Sequence, residues 1–377
     1  MILDSFLSIG IAQTLFAGLM FATKRPKNLA DHYMAAWLLT ICVDLLLTWQ
    51  SLDGRLNYTF PLIQLSYGPF VYLYVSTITQ EIPKFKIINL IHFIPTCLIA
   101  IPALIFFNEI DYHTPGFLFK SENQAWVFIL GISFYANISI YFIYSLKKIK
   151  QYQKSLESLF SYKSERITLN WLKALIIILI TSYSLTWVHG ALFAWGKPLL
   201  LINPGAYIIT GLTLISFTIS FFGFRQPGLF NELSGDFEST YNNERIKIAS
   251  LKYESSGLKN EEAKKHKKNL LELMEKDKPF LKGDLSVSEL AAKLNISRHN
   301  LTQVLNNNIE KNFYNFINEY RAEEAKKYLI DPKFSHYSIV AIAFESGFNS
   351  KTTFNTFFKD YCGLTPTDFK KNMAKSE

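Results

Sequence analysis

The sequence is poor in cysteine. Cys42, Cys97 and Cys362 are its three, with no CxxC pair among them. That spacing excludes a disulfide framework or a zinc site, and the three read as small buried hydrophobes. The apolar half also lacks HExxH, paired-carboxylate and nucleophile–base patterns. It therefore does not read as an intramembrane enzyme, and nothing in it calls for a metal or cofactor. The opening stretch MILDSFLSIG lacks a basic region and is not followed by a small-x-small cleavage pattern. It reads as a retained first span, not a removed signal peptide. Charge is scarce in one half only. Residues 1–223 hold 15 Lys+Arg and 10 Asp+Glu, whereas residues 224–377 hold 24 and 21. The tail's net charge is only +3, so helical motifs, not charge, must carry any claim of nucleic-acid binding.

What the first half does have is apolar length. Stretches of about 20 apolar residues match a bilayer core about 30 Å thick. Seven fit, near 3–22, 32–51, 60–80, 87–107, 124–146, 171–195 and 199–223. The fourth is interrupted by Pro95 and Pro102, and the fifth carries several polar residues. The loops after the first, third and fifth stretches hold Lys24, Arg25, Lys27, Lys84, Lys86, Lys147, Lys148, Lys150, Lys154, Lys163 and Arg166. The other loops hold only Arg55, Lys120 and Lys197. Basic loops stay inside, which predicts the N-terminus outside and the tail in the cytoplasm.

Several residues in this half are candidates for sensing a small-molecule or protein signal. Asp44 lies mid-span, where a carboxyl needs a partner or a polar cavity. His189 lies in the outer part of the sixth span beside Trp187. Tyr67-Gly68-Pro69 and Asn203-Pro204-Gly205 are candidate kinks, and His92 reads as interfacial. Two readings stay open: a ligand pocket facing outward, or interhelical hydrogen bonds and packing kinks.

Residues 224–280 read as a linker. Within it, NEEAKKHKKNLLELMEK (260–276) predicts a charged helix with a short apolar stripe at Leu270, Leu271, Leu273 and Met274. The stripe suits either the following domain or a homodimer contact. Lys264, Lys265, Lys267 and Lys268 suit phosphates, anionic lipid or simply solvent.

Two helix-turn-helix signals follow, about 52 residues apart, in residues 286–305 and 338–359. In the first, Ser286 and Glu289 form a capping box, and Leu285 and Leu290 are placed as a hydrophobic staple. Leu290, Ala291 and Leu294 face inward, Asn295 suits a left-handed helix end, and Ser297 caps the next helix. There Leu301, Val304 and Leu305 form a buried stripe. Arg298, His299, Thr302, Gln303 and Asn306 face the other way, with donors and acceptors suited to base edges and phosphates. The second motif repeats this logic. Ile339, Ile342 and Ala343 face inward, Gly347 supplies a turn of positive φ, and Ser350 caps. Phe354, Phe357 and Phe358 form the inner stripe; Lys351, Thr352, Asn355, Thr356 and Lys359 form the outer one. Residues 312–330 predict a connecting helix stopped by Asp331-Pro332, and Thr365-Pro366 start a last short helix.

One such pattern is easily imitated by any pair of packed helices; two joined by one helix are not. Residues 281–371 resemble the AraC/XylS family of bacterial transcription regulators. The resemblance rests on Ile342-Ala343, Gly347-Phe348, Phe354, Phe358-Lys359 and Gly363-Leu364-Thr365-Pro366. It implies that the helices starting after Ser297 and Ser350 enter successive major-groove segments of promoter DNA, with RNA polymerase as a further partner. The sequence departs from the commoner family layout, in which a soluble β-barrel-like sensor precedes such a tail, so sugar binding is not carried over.

The expected architecture is all-α. A seven-helix transmembrane bundle (1–223) and a linker (224–280) precede a double helix-turn-helix domain (281–377), in the bacterial inner membrane. The expected function is a one-component regulator whose bundle senses a signal. Two alternatives are a bundle that only anchors the regulator, and a receptor or transporter with an accessory DNA-binding domain. A histidine-kinase core is disfavoured: only His266 lies in the linker helix, and no glycine-rich nucleotide segment follows.

Overall fold

The computed structural model describes residues 2–25, 28–52, 62–79, 85–106, 124–162, 168–194, 206–223 and 260–373. Lys27, Arg55, Lys84, Lys120, Lys163, Arg166, Lys197, Asn203-Pro204-Gly205 and linker residues 224–259 lie outside them. The described residues form helices and turns, with one isolated antiparallel bridge and no strand. They fall into two compact units, and the chain crosses between these more than once. The first comprises Met1–Gln151 and Leu169–Pro227; the second comprises Tyr152–Thr168 and Gly228–Glu377.

The first unit contains α1 (Ile2–Thr23), α2 (Leu29–Leu52), α3 (Tyr67–Ile78), α4 (Ile94–Phe106), α5 (Gln124–Leu156), α6 (Asn170–Ala194) and α7 (Ala206–Thr218). The last turns of α5 belong to the second unit. Helix α1 packs on α2 and α7, α2 on α3, and α6 on α7. Small residues permit close approach: a Cβ on Gly10 would meet Thr213 Oγ1 at 2.6 Å, and one on Gly211 would run into Ser182.

Seven apolar spans were expected; four helices among the described residues are long and apolar enough to cross a membrane. They are Leu3–Thr23, Leu29–Gln50, Asn170–His189 and Ala206–Gly223. The other three stretches are helical but fall short for local reasons. The third begins as a 3-10 turn (Leu62–Ser66), leaving α3 only 12 residues. The fourth begins as a 3-10 segment (Ile87–Phe93) before α4, which contains Pro95 and Pro102. Helix α5 has 33 residues, but Tyr135, Asn137, Tyr141 and Ser145, then Lys147, Lys148 and Lys150, dilute its apolar character. The four candidate spans are only 33–50% buried within the protein, and Phe16, Leu19, Ile177 and Val188 are exposed. Polar Asp44, Gln64 and Ser216 are buried instead.

The second unit contains α8 (Asn260–Lys276), α9 (Val287–Lys293), α10 (Arg298–Gln303), α11 (Phe313–Ile330), α12 (Ile339–Glu345), α13 (Lys351–Cys362) and α14 (Pro366–Met373). Helix α11 is central. It contacts the turn Pro279–Leu281 and helices α12, α13 and α14. Ala322, Ala325 and Leu329 join Ile342, Ala343, Phe348, Phe354 and Phe358 in one core.

Candidate nucleic-acid interface

Both helix pairs are built by local rules that the residues themselves impose. The Ser286 hydroxyl accepts from the Glu289 amide at 3.3 Å, and a Glu289 carboxylate oxygen accepts from the Ser286 amide at 3.1 Å, completing the capping box. Leu285 and Leu290 are both fully buried, as the staple requires. Asn295 ends α9 with φ +54°. Ser297 then caps α10 through the Asn300 amide at 3.1 Å. In the second pair Ser338 caps α12, Gly347 takes φ +91°, and Ser350 accepts from the Thr353 amide at 3.1 Å to start α13. Each turn thus aims the start of a second helix at solvent.

The inner stripes are buried: Leu301, Val304 and Leu305 on the first helix, Phe354 and Phe358 on the second. Three residues placed inward lie differently, Ile339 of α12 being half-buried at the edge of the core. Leu294 caps the C-terminus of α9 and is half-buried; Phe357 is half-buried, its ring near those of Tyr314 and Tyr361. On the outer faces His299, Asn306, Lys351, Thr352, Thr356 and Lys359 are exposed, while Arg298, Thr302, Gln303 and Asn355 are partly exposed. The structure therefore places nine of the ten candidate DNA-contact residues on the two helices, with Asn306 on the turn that follows α10.

One irregularity interrupts the first row. After Gln303 the helix widens into a π turn, Val304–Ile309, ended by Glu310 at φ +60°. The i+4 step from Thr302 to Asn306 does not follow a regular helix. Helix α8 packs on this turn, with Lys267 Nζ donating to the Asn308 carbonyl at 2.8 Å. Ala263, Leu270 and Met274 are buried, so the linker-helix stripe is used inside the domain. Lys264, Lys265 and Lys268 remain exposed.

Sequence reasoning passed over a residue that ties α11 to the turn before α9 and to residue 161. Arg321 of α11 is 1% exposed. Its Nε donates to the Phe280 carbonyl at 2.7 Å; Nη1 donates to the Ser161 carbonyl at 2.9 Å and to Asn318 Oδ1 at 3.1 Å. Nη2 donates to the Lys282 carbonyl at 2.7 Å and to the Ser161 hydroxyl at 3.1 Å. Burial pulls its pKa down to about 10, so it stays charged at neutral pH. Arginine in the midst of a predicted amphipathic helix reads as a surface residue; nothing local marks it as central.

The sensing candidates lie in the first unit. Asp44 is 1% exposed, and its Oδ2 accepts from Gln64 Nε2 at 2.9 Å and from the Tyr67 hydroxyl at 2.8 Å. The Tyr183 hydroxyl donates to Gln64 Oε1 at 3.0 Å, and the Tyr135 hydroxyl donates to the Tyr183 carbonyl at 2.6 Å. Trp187 stands edge-on to Tyr135, so this network links Asp44 to Trp187. His189 is buried with its ring against Tyr207. Of the two readings of Asp44, the interhelical hydrogen bonds are on view. Gln64 and Tyr183, polar groups inside apolar stretches, are the signal by which its partners could have been sought.

Comparison with known proteins bears on the second unit. A family model described as a helix-turn-helix domain matches residues 290–372. An uncharacterized HTH-type transcriptional regulator in the cgkA 5′ region of Pseudoalteromonas carrageenovora is 32% identical over 91 residues, covering 24% of this chain and 52% of that protein. The Msm operon regulatory protein of Streptococcus mutans is 30% identical over 92 residues, covering 24% of this chain and 32% of that protein. The chain thus spans about half of one relative and about a third of the other. No solved structure matches the chain. Residues 290–372 are accordingly a helix-turn-helix domain, similar to part of two regulator proteins.

Proposed function

We propose that this chain is a membrane-embedded transcription regulator that reads promoter DNA through α10 and α13. The carrying observation is the pair of capped, solvent-facing helices with matched polar rows, each seated on a scaffold helix. The family model and the two regulator relatives support a DNA-binding role; the AraC-type double motif and contact with RNA polymerase are the finer reading. Lys351 and Lys359 are point charges suited to phosphate, whereas the amides of Gln303 and Asn355 suit base edges, adenine best.

Mapping the DNA that the intact protein holds in its cells supplies the duplex for a direct test with the full chain in detergent. On that duplex, Gln303→Ala or Asn355→Ala is expected to lose roughly 1–3 kcal/mol, and little on a scrambled one. Lys359→Ala is expected to weaken both and to lower the salt slope by about one. Equal weakening of both duplexes by the amide variants would show that these positions do not read sequence.

The bundle is proposed to sit in the bacterial inner membrane with the N-terminus outside and the helix-turn-helix domain in the cytoplasm. That arrangement needs an odd number of crossings, one more than the four apolar helices supply. We take α5, less apolar than the other four, as the fifth: 33 residues make about 50 Å of helix, ample for a core of about 30 Å, and its lysines fall at its end; Lys84 and Lys86 then lie on the outside. A reporter active only outside the cytoplasm is expected to be active after residue 120 and silent after residues 27, 155 and 230. Activity after 27 or 155 with silence after 120 would reverse the topology. The Asp44–Trp187 network is the proposed sensing element within the bundle; a bundle that only anchors is the alternative. Replacing it with an unrelated anchor separates these, since a retained signal response would leave it no sensing role.

A further inference from the structure

Residues 155–162, the last two of α5 and the six that follow it, precede α6, yet they are built into the helix-turn-helix unit. Leu156, Leu159 and Ser161 are buried there. Phe160 forms an antiparallel bridge with Ser286, the residue that caps α9. The Leu159 carbonyl accepts from the Val287 amide at 3.0 Å, and the Ser161 amide and hydroxyl donate to the Leu285 carbonyl at 3.3 and 2.7 Å. The Glu157 carbonyl accepts from the Tyr314 amide at 2.9 Å. Val287 and Tyr314 lie in the first turns of α9 and α11, whose amides have no acceptor within their own helices. The segment therefore supplies acceptors to the starts of two helices at once. The Ser161 carbonyl accepts in addition from Asn318 Nδ2 at 3.0 Å and from Arg321.

We infer that this segment is a strap that completes the first helix-turn-helix and makes its DNA affinity depend on the chain joining α5 to α6. The inference rests on the DNA-binding reading of α10. Arg321 donates both to Ser161 on the strap and to the carbonyls of Phe280 and Lys282 on the turn before α9. With the strap displaced, Arg321 loses two acceptors and the first turns of α9 and α11 lose theirs. Buried donors without acceptors are costly, so α9 cannot hold its place, and α10 stands on α9. Any rearrangement of α5 and α6 that pulls on residues 155–162 thereby reaches the DNA-reading helix through covalent chain.

The test uses the full chain in detergent, with amide exchange and affinity for the mapped duplex read on the same samples. Ser161→Pro removes the amide bond to Leu285 and bends the strap away. Exchange at the Val287 and Tyr314 amides is expected to rise about tenfold or more, with a matching fall in DNA affinity, since one hydrogen bond of this kind corresponds to about a tenfold change. Ser161→Thr keeps the backbone and hydroxyl and is expected to restore both. Should the proline variant fail to accumulate, Ser161→Ala, which removes only the hydroxyl bonds, is expected to raise exchange severalfold. Unchanged exchange in the proline or alanine variant shows the strap is not docked and overturns the inference. Raised exchange with unchanged affinity overturns the coupling. Failure of the unmodified chain to bind any mapped duplex overturns the DNA-binding reading instead, and the exchange data still report on the strap.

Discussion

Gly347→Val is expected to abolish the fold of the second helix-turn-helix. Two independent penalties coincide at this position. The backbone sits at φ +91°, a region that a β-branched residue avoids, and holding it there costs about 1–3 kcal/mol. The side chain also has no room. An added Cβ would overlap the Phe280 carbonyl oxygen and lie 2.8 Å from Leu281 Cα, both main-chain atoms that cannot swing aside. Overpacking of this kind costs about 1–3 kcal/mol more. Together the loss is roughly 2–6 kcal/mol, a large share of the 5–15 kcal/mol that typically holds a domain. Gly363 is the control. It has φ +74° but no atom within 4 Å of a built Cβ, so Gly363→Ala is expected to cost only about 1–2 kcal/mol. Thermal unfolding with amide exchange at Ala343 and Phe358 measures both. Equal, small shifts for the two variants would mean that the contact with Phe280 and Leu281 is not maintained.

Arg321→Met carries the second large expected effect. The side chain would fill the same space but leave the carbonyls of Phe280, Ser161 and Lys282 without their donor in a buried site. Leaving buried acceptors without their donor costs about 1–3 kcal/mol each. Arg321→Lys is expected to recover little. These acceptors lie on two separate segments, and only the planar fork of the guanidinium reaches them together. The measurement is the same unfolding experiment, supported by exchange at Val287 and Tyr314. A lysine variant as stable as the parent would show that charge, not fork geometry, is what the site needs.

Much of the helix-turn-helix unit was legible because its rules are local. Ser286 with Glu289, Ser297, Asn295, Ser338, Ser350 and Gly347 each act within a few residues of themselves, so spacing alone locates the turns. The inner stripes follow from helical period. The π turn after Gln303 escaped that logic, because nothing in VLNNNI announces a change of period; helix α8, packed on it, does. Lys278 and Glu310 adopt positive φ without being glycine or asparagine, and no residue preference flags them.

In the apolar half, composition placed seven hydrophobic stretches, but only geometry separated the four long apolar helices from three that are shortened by 3-10 turns or diluted by polar groups. Composition also required a partner for Asp44 without naming one. Gln64 and Tyr67 lie 20 and 23 residues away in sequence, and helix packing alone brings them to its carboxylate. The strap is the clearest case. By sequence, residues 155–162 are a basic-flanked loop between two apolar stretches, and Ser161 lies 160 residues from Arg321. Which segments are helical, where most helices of the second unit begin, and which faces are apolar could be read from the residues alone, because those depend on neighbours along the chain. Tertiary structure decided that Arg321 is a buried hub, that α8 folds onto the domain, and that the α5–α6 segment completes α9. Each of these depends on unsatisfied backbone groups finding partners that chain order does not bring near.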